Sequence, residues 1–117
     1  MTVKGTAKDG MFKFVIGRKT HASCGCPVGK NMGINSWAAF AGSDNQAIVV
    51  GDLALFQEEL HNALKAFKNN GINVVAIHNH MIFENPRVMF VHYIGYGPAA
   101  QLAQALKTVI DTTSTLH

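Results

Sequence analysis

The sequence predicts an α+β fold in which a largely antiparallel sheet of about five strands carries two helices on one face. Two observations support this prediction. Several segments of alternating or β-branched residues are joined by turns too short for a helical crossover, which favours antiparallel pairing. Two amphipathic segments have the spacing of helices, one after the third strand and one after the fifth. The predicted order of elements is therefore βββαββα.

Length and composition indicate one globular domain spanning residues 1–117. Hydrophobic residues make up 48% of the chain and charged residues 15%, which excludes the composition of a disordered protein. The net charge of +3 is modest, and no dense basic stripe with aromatic residues indicates a nucleic-acid surface. No apolar run reaches the roughly 18 residues of a membrane span, so we predict no transmembrane segment.

The N-terminal half predicts one strand, one long loop and one hairpin. Residues 11–17, MFKFVIG, alternate and predict the strand. Residues 18–35 are rich in Gly, Cys, Ser and Lys without periodicity and predict a long loop, and loops of this length are often functional. Residues 36–42 and 47–55 predict a hairpin around SDNQ. Trp37 is predicted to anchor the core or a sheet face.

Two segments predict helices with one apolar stripe each. In residues 57–70 the stripe follows the i, i+3, i+4, i+7 pattern, and Gly71 suits the position after the helix. His61 lies beside this stripe and is predicted to be solvated. In residues 97–113 Pro98 suits the first helical turn. The stripes consist of Leu60, Ala63, Leu64 and Phe67 in the first helix and Leu102, Leu106, Val109 and Ile110 in the second.

A second hairpin gathers three histidines. Residues 72–82 and 87–95 predict two strands joined by a turn with the sequence FENPR. Successive side chains on a strand point to opposite faces, so His78 and His80 share one face. His92 lies on the following strand, and the pairing register decides whether it joins them.

The length of the turn sets this register. A loop of three residues, 84–86, would place His78 directly opposite His92 and His80 opposite Phe90. An even loop would turn His92 to the other face unless a β-bulge restored the register. Three converging imidazoles form a His₃ site with an open fourth position, for which zinc is the first candidate metal. The alternative is that the histidines are exposed or hydrogen-bonded without a metal.

Glu84 lies in the same turn and has two interpretations. A carboxylate in a turn is commonly a solvated residue. If the side chain folds back toward the histidines, Glu84 could instead be a metal ligand or a catalytic general base.

The long loop holds a second cluster with the pattern H-x₂-C-x-C, made of His21, Cys24 and Cys26. These residues could bind a soft metal alone, or bring a thiolate to the histidines of the hairpin. Because one residue separates the cysteines, a mutual disulfide would close a strained ring, so we expect thiolate ligands or a reactive thiol and not a disulfide scaffold. Together with Met32, the thiolates make copper the second candidate metal. A structural or redox-active loop is the alternative.

Four stretches carry a resemblance to a known family: GINSWAAF at 33–40, VVGDLAL at 49–55, LKAFKNNGINVVAIHNHM at 64–81 and PRVMFVHYIGYGPAAQLAQAL at 86–106. With them the sequence resembles the LppY/LpqO-type lipoproteins of bacteria, a group catalogued as a domain of unknown function. The resemblance covers about residues 11–111. It implies a location in the periplasm or cell envelope, and it places the three histidines on motifs of the family. It supplies no established activity.

These observations lead to one main hypothesis and two alternatives. The chain is predicted to be a transition-metal-binding domain of the bacterial envelope that acts in metal sensing, storage or delivery. The first alternative is a metal-dependent hydrolase with Glu84 as base. The second is a module in which the histidines bind a small molecule or a partner protein. Residues 1–10 lack the apolar core of a signal peptide, so a cytosolic location or a removed leader is also compatible with the sequence. Whether the chain forms a homo-oligomer is left open.

Overall fold

A computed structural model describes residues 5–8, 11–18, 20–30, 34–79 and 81–113 of the chain. Its strands are β1 (Gly5–Lys8), β2 (Met11–Gly17), β3 (Thr20–His21), β4 (Pro27–Val28), β5 (Asn35–Gly42), β6 (Ala47–Phe56), β7 (Asn73–Asn79) and β8 (Val88–Gly97). Its helices are α1 (Leu60–Asn69) and α2 (Ala99–Asp111). The predicted α+β class is confirmed, and each predicted strand and helix is present with ends that differ by a few residues.

Six of the strands form one antiparallel sheet in the order β1-β2-β5-β6-β8-β7. Strand β1 adds a sixth member to the five that the sequence predicts. The segment predicted as one long loop contains a small two-stranded sheet, β3 with β4. Two-residue strands carry too little periodicity to be recognised in a sequence, which explains the difference.

The main core lies between one sheet face and the two helices. Alternate residues of β6 and β8 are buried on this face together with the apolar stripes of α1 and α2. The rings of Phe67 on α1 and Tyr93 on β8 meet here, with centroids 5.1 Å apart. Other buried members of this core include Val49, Leu53, Leu55, Val91, Leu102, Leu106 and Val109. Burial of these stripes fixes which face of each strand points away from the helices.

Glu59 anchors the start of α1, which has no Ser or Thr cap. Its Oε1 accepts a hydrogen bond from the Phe56 N–H at 2.8 Å, while the carboxylate forms a buried ion pair with the Arg18 guanidinium. Arg18 also donates to the Ala54 carbonyl oxygen at 3.2 Å. Its guanidinium carbon, Cζ, lies 3.8 Å from the centroid of the Phe56 ring. These contacts attach the segment after β2 to the junction between β6 and α1.

The other sheet face is covered at one end only. The segment that carries β3 and β4 closes a small second core made of Val28, Ile34, Ala54, Val88 and Phe90. Beyond this core the face opens to solvent, where Val50 is 36% exposed and Tyr96 is 69% exposed. The boundary between the covered and the open part crosses β6 and β8 between their Ala54–Phe90 and Val50–Ile94 pairs.

Within the described ranges, no helix has both the length and the apolar character that crossing a membrane requires.

Candidate metal centre

Three adjacent strands bring an aspartate and two histidines together on the sheet face that does not carry the helices. They lie at the boundary between the covered and the open part of that face. Asp52 on β6 lies directly opposite His92 on β8, and the distance from Asp52 Oδ2 to His92 Nε2 is 3.7 Å. His78 comes from β7, the neighbour of β8 on its other side, and its ring centroid lies 5.6 Å from that of His92. One ligand atom from each residue lies within 4.8 Å of the other two. This spacing is compatible with a shared metal ion.

The register of the hairpin partly confirms the sequence prediction. His78 and His92 share a face, as expected, but His78 lies opposite Phe90 and not opposite His92. The prediction that His78 pairs directly with His92 is therefore wrong, and the observed pairing is shifted by two residues along β8. The turn is centred on Glu84 and not on Asn85, and the imidazoles meet along a diagonal that long side chains can span.

A β-bulge is what places His78 on this face. The pairing Val74–Tyr93 is followed by Ala76–His92, so Val75 is an extra residue on β7. If the register of Val74 continued without the bulge, His78 would pair with Met89 and point toward the helices. The bulge therefore decides that His78 belongs to the cluster.

His80 and Met32 fall outside the described residues, so their predicted roles as ligands stay predictions. His61 is exposed on α1, as predicted, and lies away from the cluster.

Glu84 is buried at 5% exposure, which differs from the expectation of a solvated turn residue. Its Oε1 accepts a hydrogen bond from the Val88 N–H at 3.1 Å, so the carboxylate closes the turn from within. Val88 lies four residues from His92 along β8, about 13 Å at the rise of a strand. Glu84 is not in the group of ligand atoms that Asp52 and the histidines form.

Cys24 and Cys26 are joined in a disulfide, which corrects the expectation that their spacing disfavours one and leaves them as free thiols. The intervening Gly25 has a φ of 81°, a conformation open to glycine, and this turn brings the two Cα atoms to 5.3 Å. In this oxidised state the two sulfurs offer no thiolate to a metal. His21 is exposed, and its backbone pairs with Asn85 of the β7–β8 turn.

Sequence reasoning missed Asp52. The available signal was a single acidic residue inside the apolar stretch VVGDLAL, which becomes β6. Its partner could not be recognised, because the pairing of β6 with β8 joins residues forty positions apart and passes over α1 and β7. Asp52 is 8% exposed, so its carboxylate is held at the edge of the covered part of the sheet.

A close contact on the opposite face fixes the strands around Asp52. The Tyr93 hydroxyl donates to the Trp37 carbonyl oxygen at 3.0 Å, above Gly51. A Cβ atom on Gly51 would lie 2.2 Å from that hydroxyl oxygen and 2.3 Å from the carbonyl oxygen, so only glycine fits. Burial raises the pKa of the Tyr93 phenol, and the negative charge of Asp52 raises it further.

Trp37 lies opposite Asp52 on β5, so its side chain is on the sheet face of the cluster and is half-buried. Its predicted role as a sheet-face residue agrees with this position. The Lys13 ammonium lies 5.0 Å from the centroid of the Trp37 ring. The row Trp37, Asp52, His92 and Ala76 therefore crosses four strands at the boundary of the open face.

The cluster combines one buried oxygen donor with two nitrogen donors that reach solvent. The Asp52 side chain is 12% exposed and that of His92 38%, and His78 is exposed as well. A metal ion held here would be bound from one side by protein and would keep coordination positions open toward solvent. Carboxylate and imidazole donors suit zinc and ferrous iron better than they suit Cu(I).

Comparison with known proteins gives one family match. No curated protein and no solved structure matches the chain. A family model matches residues 1–112, which is nearly the whole sequence. The chain therefore belongs to the family described as Domain of Unknown Function (DUF1259).

Proposed function

We propose that this domain binds a divalent transition-metal ion through Asp52, His78 and His92. The observation that carries the proposal is the convergence of one ligand atom from each residue within 4.8 Å on three adjacent strands. Pairing in one sheet fixes the relative positions of the Cβ atoms of the three residues, so only side-chain adjustment is needed when the metal binds. Three protein ligands of this kind are typical of zinc sites that keep a position open.

Zinc is the metal we propose first. Two imidazoles and a carboxylate are a common donor set for zinc, and ferrous iron uses the same set. Copper remains the second candidate metal, as the sequence indicates. The two cysteines whose thiolates favoured it are, however, joined in a disulfide. The proposed role is binding, sensing or delivery of the ion.

A titration of metal-free protein tests the proposal. We expect one zinc ion to bind per chain, measured by calorimetry, and the substitution His92→Ala to weaken binding at least about tenfold, or about 1.4 kcal/mol. The matched control is His61→Ala, which removes an exposed histidine outside the cluster and should bind zinc as the wild type does. Equal binding by wild type and His92→Ala would reject the proposal. Parallel titrations with ferrous iron and copper rank the metals.

A second candidate function is metal-dependent hydrolysis, and the exposure of His78 and His92 favours it. A water on an open position of the ion would be more acidic than bulk water and could attack an ester or a similar bond. Glu84 binds the Val88 N–H and is not in the group of ligand atoms around Asp52, so we do not propose it as the base. Zinc-loaded protein that hydrolyses p-nitrophenyl acetate faster than free zinc, with the excess lost in His92→Ala, would support an enzyme. No excess rate would favour binding or delivery.

We also propose that the protein works in the periplasm or envelope of a bacterium. The resemblance to bacterial lipoproteins suggests this location, and the disulfide is in keeping with an oxidising compartment. Cell fractionation of a bacterium that expresses the natural gene tests it. Recovery in the cytoplasm would contradict the proposed location and would leave metal binding untouched.

A further inference from the structure

We propose that the Cys24–Cys26 disulfide is redox-active and exchanges with thiols, with the Cys26 sulfur as the atom attacked and Cys24 as the leaving thiolate. This activity is independent of the proposed metal site, because neither sulfur belongs to the Asp52 cluster. Its substrate class is a low-molecular-weight dithiol or a protein thiol.

The disulfide does little to hold the fold together. A disulfide stabilises mainly by shortening the free loops of the unfolded chain, and this one encloses a single residue. The turn has its own hydrogen bonds, from the Ala22 N–H to the Cys26 carbonyl oxygen at 2.9 Å and from the Gly25 N–H to the Ala22 carbonyl oxygen at 2.8 Å. A role in stability therefore does not account for the pair.

The backbone also fixes this turn to the rest of the domain without help from the sulfurs. His21 and Asn85 exchange two backbone hydrogen bonds, at 3.0 and 2.9 Å, which join β3 to the β7–β8 turn. Thr20 adds a side-chain hydrogen bond to the Pro86 carbonyl oxygen. Reduction can therefore open the disulfide while the hairpin that carries it stays in place.

Both cysteine residues are exposed, as attack by a thiolate requires. Cys24, Gly25, Cys26 and Pro27 form one exposed stretch at the tip of the β3–β4 hairpin, and none of them belongs to either hydrophobic core. Exchange requires an approach to one sulfur along the line of the bond that breaks, and exposure is the first condition for it.

The local hydrogen bonding distinguishes the two sulfurs. The Cys26 N–H lies 3.3 Å from Cys24 Sγ and donates to it, which favours a thiolate on Cys24. A sulfur that is stabilised as thiolate is the better leaving group, so attack on Cys26 is the favoured direction.

The exchange balances with a dithiol as reductant. Its first thiolate bonds to Cys26 Sγ, and the Cys24–Cys26 bond breaks to leave a thiolate on Cys24. The second thiolate of the reagent then attacks its own sulfur in the mixed disulfide and releases Cys26. Two electrons pass to the protein, the reagent becomes a disulfide, and the protein thiols take up the two protons that the dithiol gave up.

Reduction of the folded, metal-free protein tests the activity. In native buffer with a chelator and millimolar dithiothreitol, we expect two titratable thiols per chain within minutes, and a melting temperature within about 2 °C of the oxidised protein, since so short a loop adds little stability. A disulfide that resists until denaturant is added, or a large fall in melting temperature, would overturn the proposal. The chelator keeps the result independent of the metal site.

The direction of exchange has its own readout. After brief treatment with glutathione and acid quenching, peptide mapping should find the mixed disulfide on Cys26 at least about fivefold more often than on Cys24. In single substitutions, the free thiol of Cys26→Ser should be alkylated faster at neutral pH than that of Cys24→Ser, because the thiolate reacts. Equal labelling and equal alkylation would overturn the assignment of Cys24 as leaving group.

Discussion

Asp52 and the two histidines differ in how firmly the protein holds them. The Asp52 carboxylate is nearly buried, beside a strand contact in which Gly51 allows Tyr93 to reach Trp37. His78 lies on an exposed edge strand, and its ring stacks on Phe90 with centroids 5.7 Å apart. We therefore expect Asp52 to be the fixed ligand of the proposed site, with His78 the one that adjusts.

The substitution Asp52→Asn tests this role with almost no change in volume. It removes the negative charge that a cation needs, so we expect zinc affinity to fall at least about tenfold. Calorimetric titration measures the loss, and circular dichroism checks that the fold is kept. Unchanged affinity in a folded Asp52→Asn protein would remove Asp52 from the site.

Gly51→Ala should be among the more damaging single changes in the sheet. Its Cβ would overlap the Tyr93 hydroxyl and the Trp37 carbonyl oxygen, so we expect a loss of about 3 kcal/mol in the free energy of unfolding, measured with urea. Gly95→Ala is the matched control, because its Cβ would meet only side-chain atoms at 3.1 Å and beyond. A loss at position 51 no larger than at position 95 would contradict the contact described.

The hairpin of β7 and β8 shows which features of secondary-structure elements can be predicted from sequence patterns and which cannot. Alternation predicts both strands and predicts a shared face for His78 and His80, but it leaves open whether His92 joins them. The bulge at Val75 and the turn centred on Glu84 could not be predicted, because each depends on how β7 leaves α1 and how the turn buries a carboxylate. The direct pairing of Asp52 with His92 lay outside what a hairpin pattern predicts, since it joins strands that are not consecutive.

The Arg18–Glu59 ion pair attaches the segment after β2 to the start of α1. Removing one partner leaves a buried charge, so we expect Arg18→Ala and Glu59→Ala each to cost about 3 kcal/mol in the free energy of unfolding. The double substitution should cost clearly less than the sum, because the second change removes the charge that the first left behind. Additive losses in urea unfolding would show that the two residues act separately.

The whole molecule combines a sheet face closed by two helices with a face that is closed only at one end. The closed face follows directly from apolar periodicity, which is why the fold class could be predicted. The half-covered face depends on a segment with Gly, Cys and Lys and no periodicity, so its small core and its disulfide were not predictable. The candidate site lies where these two parts meet.

Metal binding should stabilise the whole domain. A ligand at one hundred times its dissociation constant adds about 2.7 kcal/mol to the free energy of unfolding, which corresponds to about 10 °C in melting temperature for a domain of this size. Differential scanning calorimetry with and without zinc measures the shift. The shift should be absent in Asp52→Asn and present in His61→Ala, and a similar shift in both variants would point to zinc bound elsewhere.

A crystal structure of the zinc-loaded protein, with anomalous scattering measured at the zinc edge, tests the central claim most directly. We predict one strong peak about 2.0–2.2 Å from an oxygen of Asp52 and from a ring nitrogen of each of His78 and His92. A peak at His21 or at the Cys24–Cys26 turn, with none beside Asp52, would contradict it.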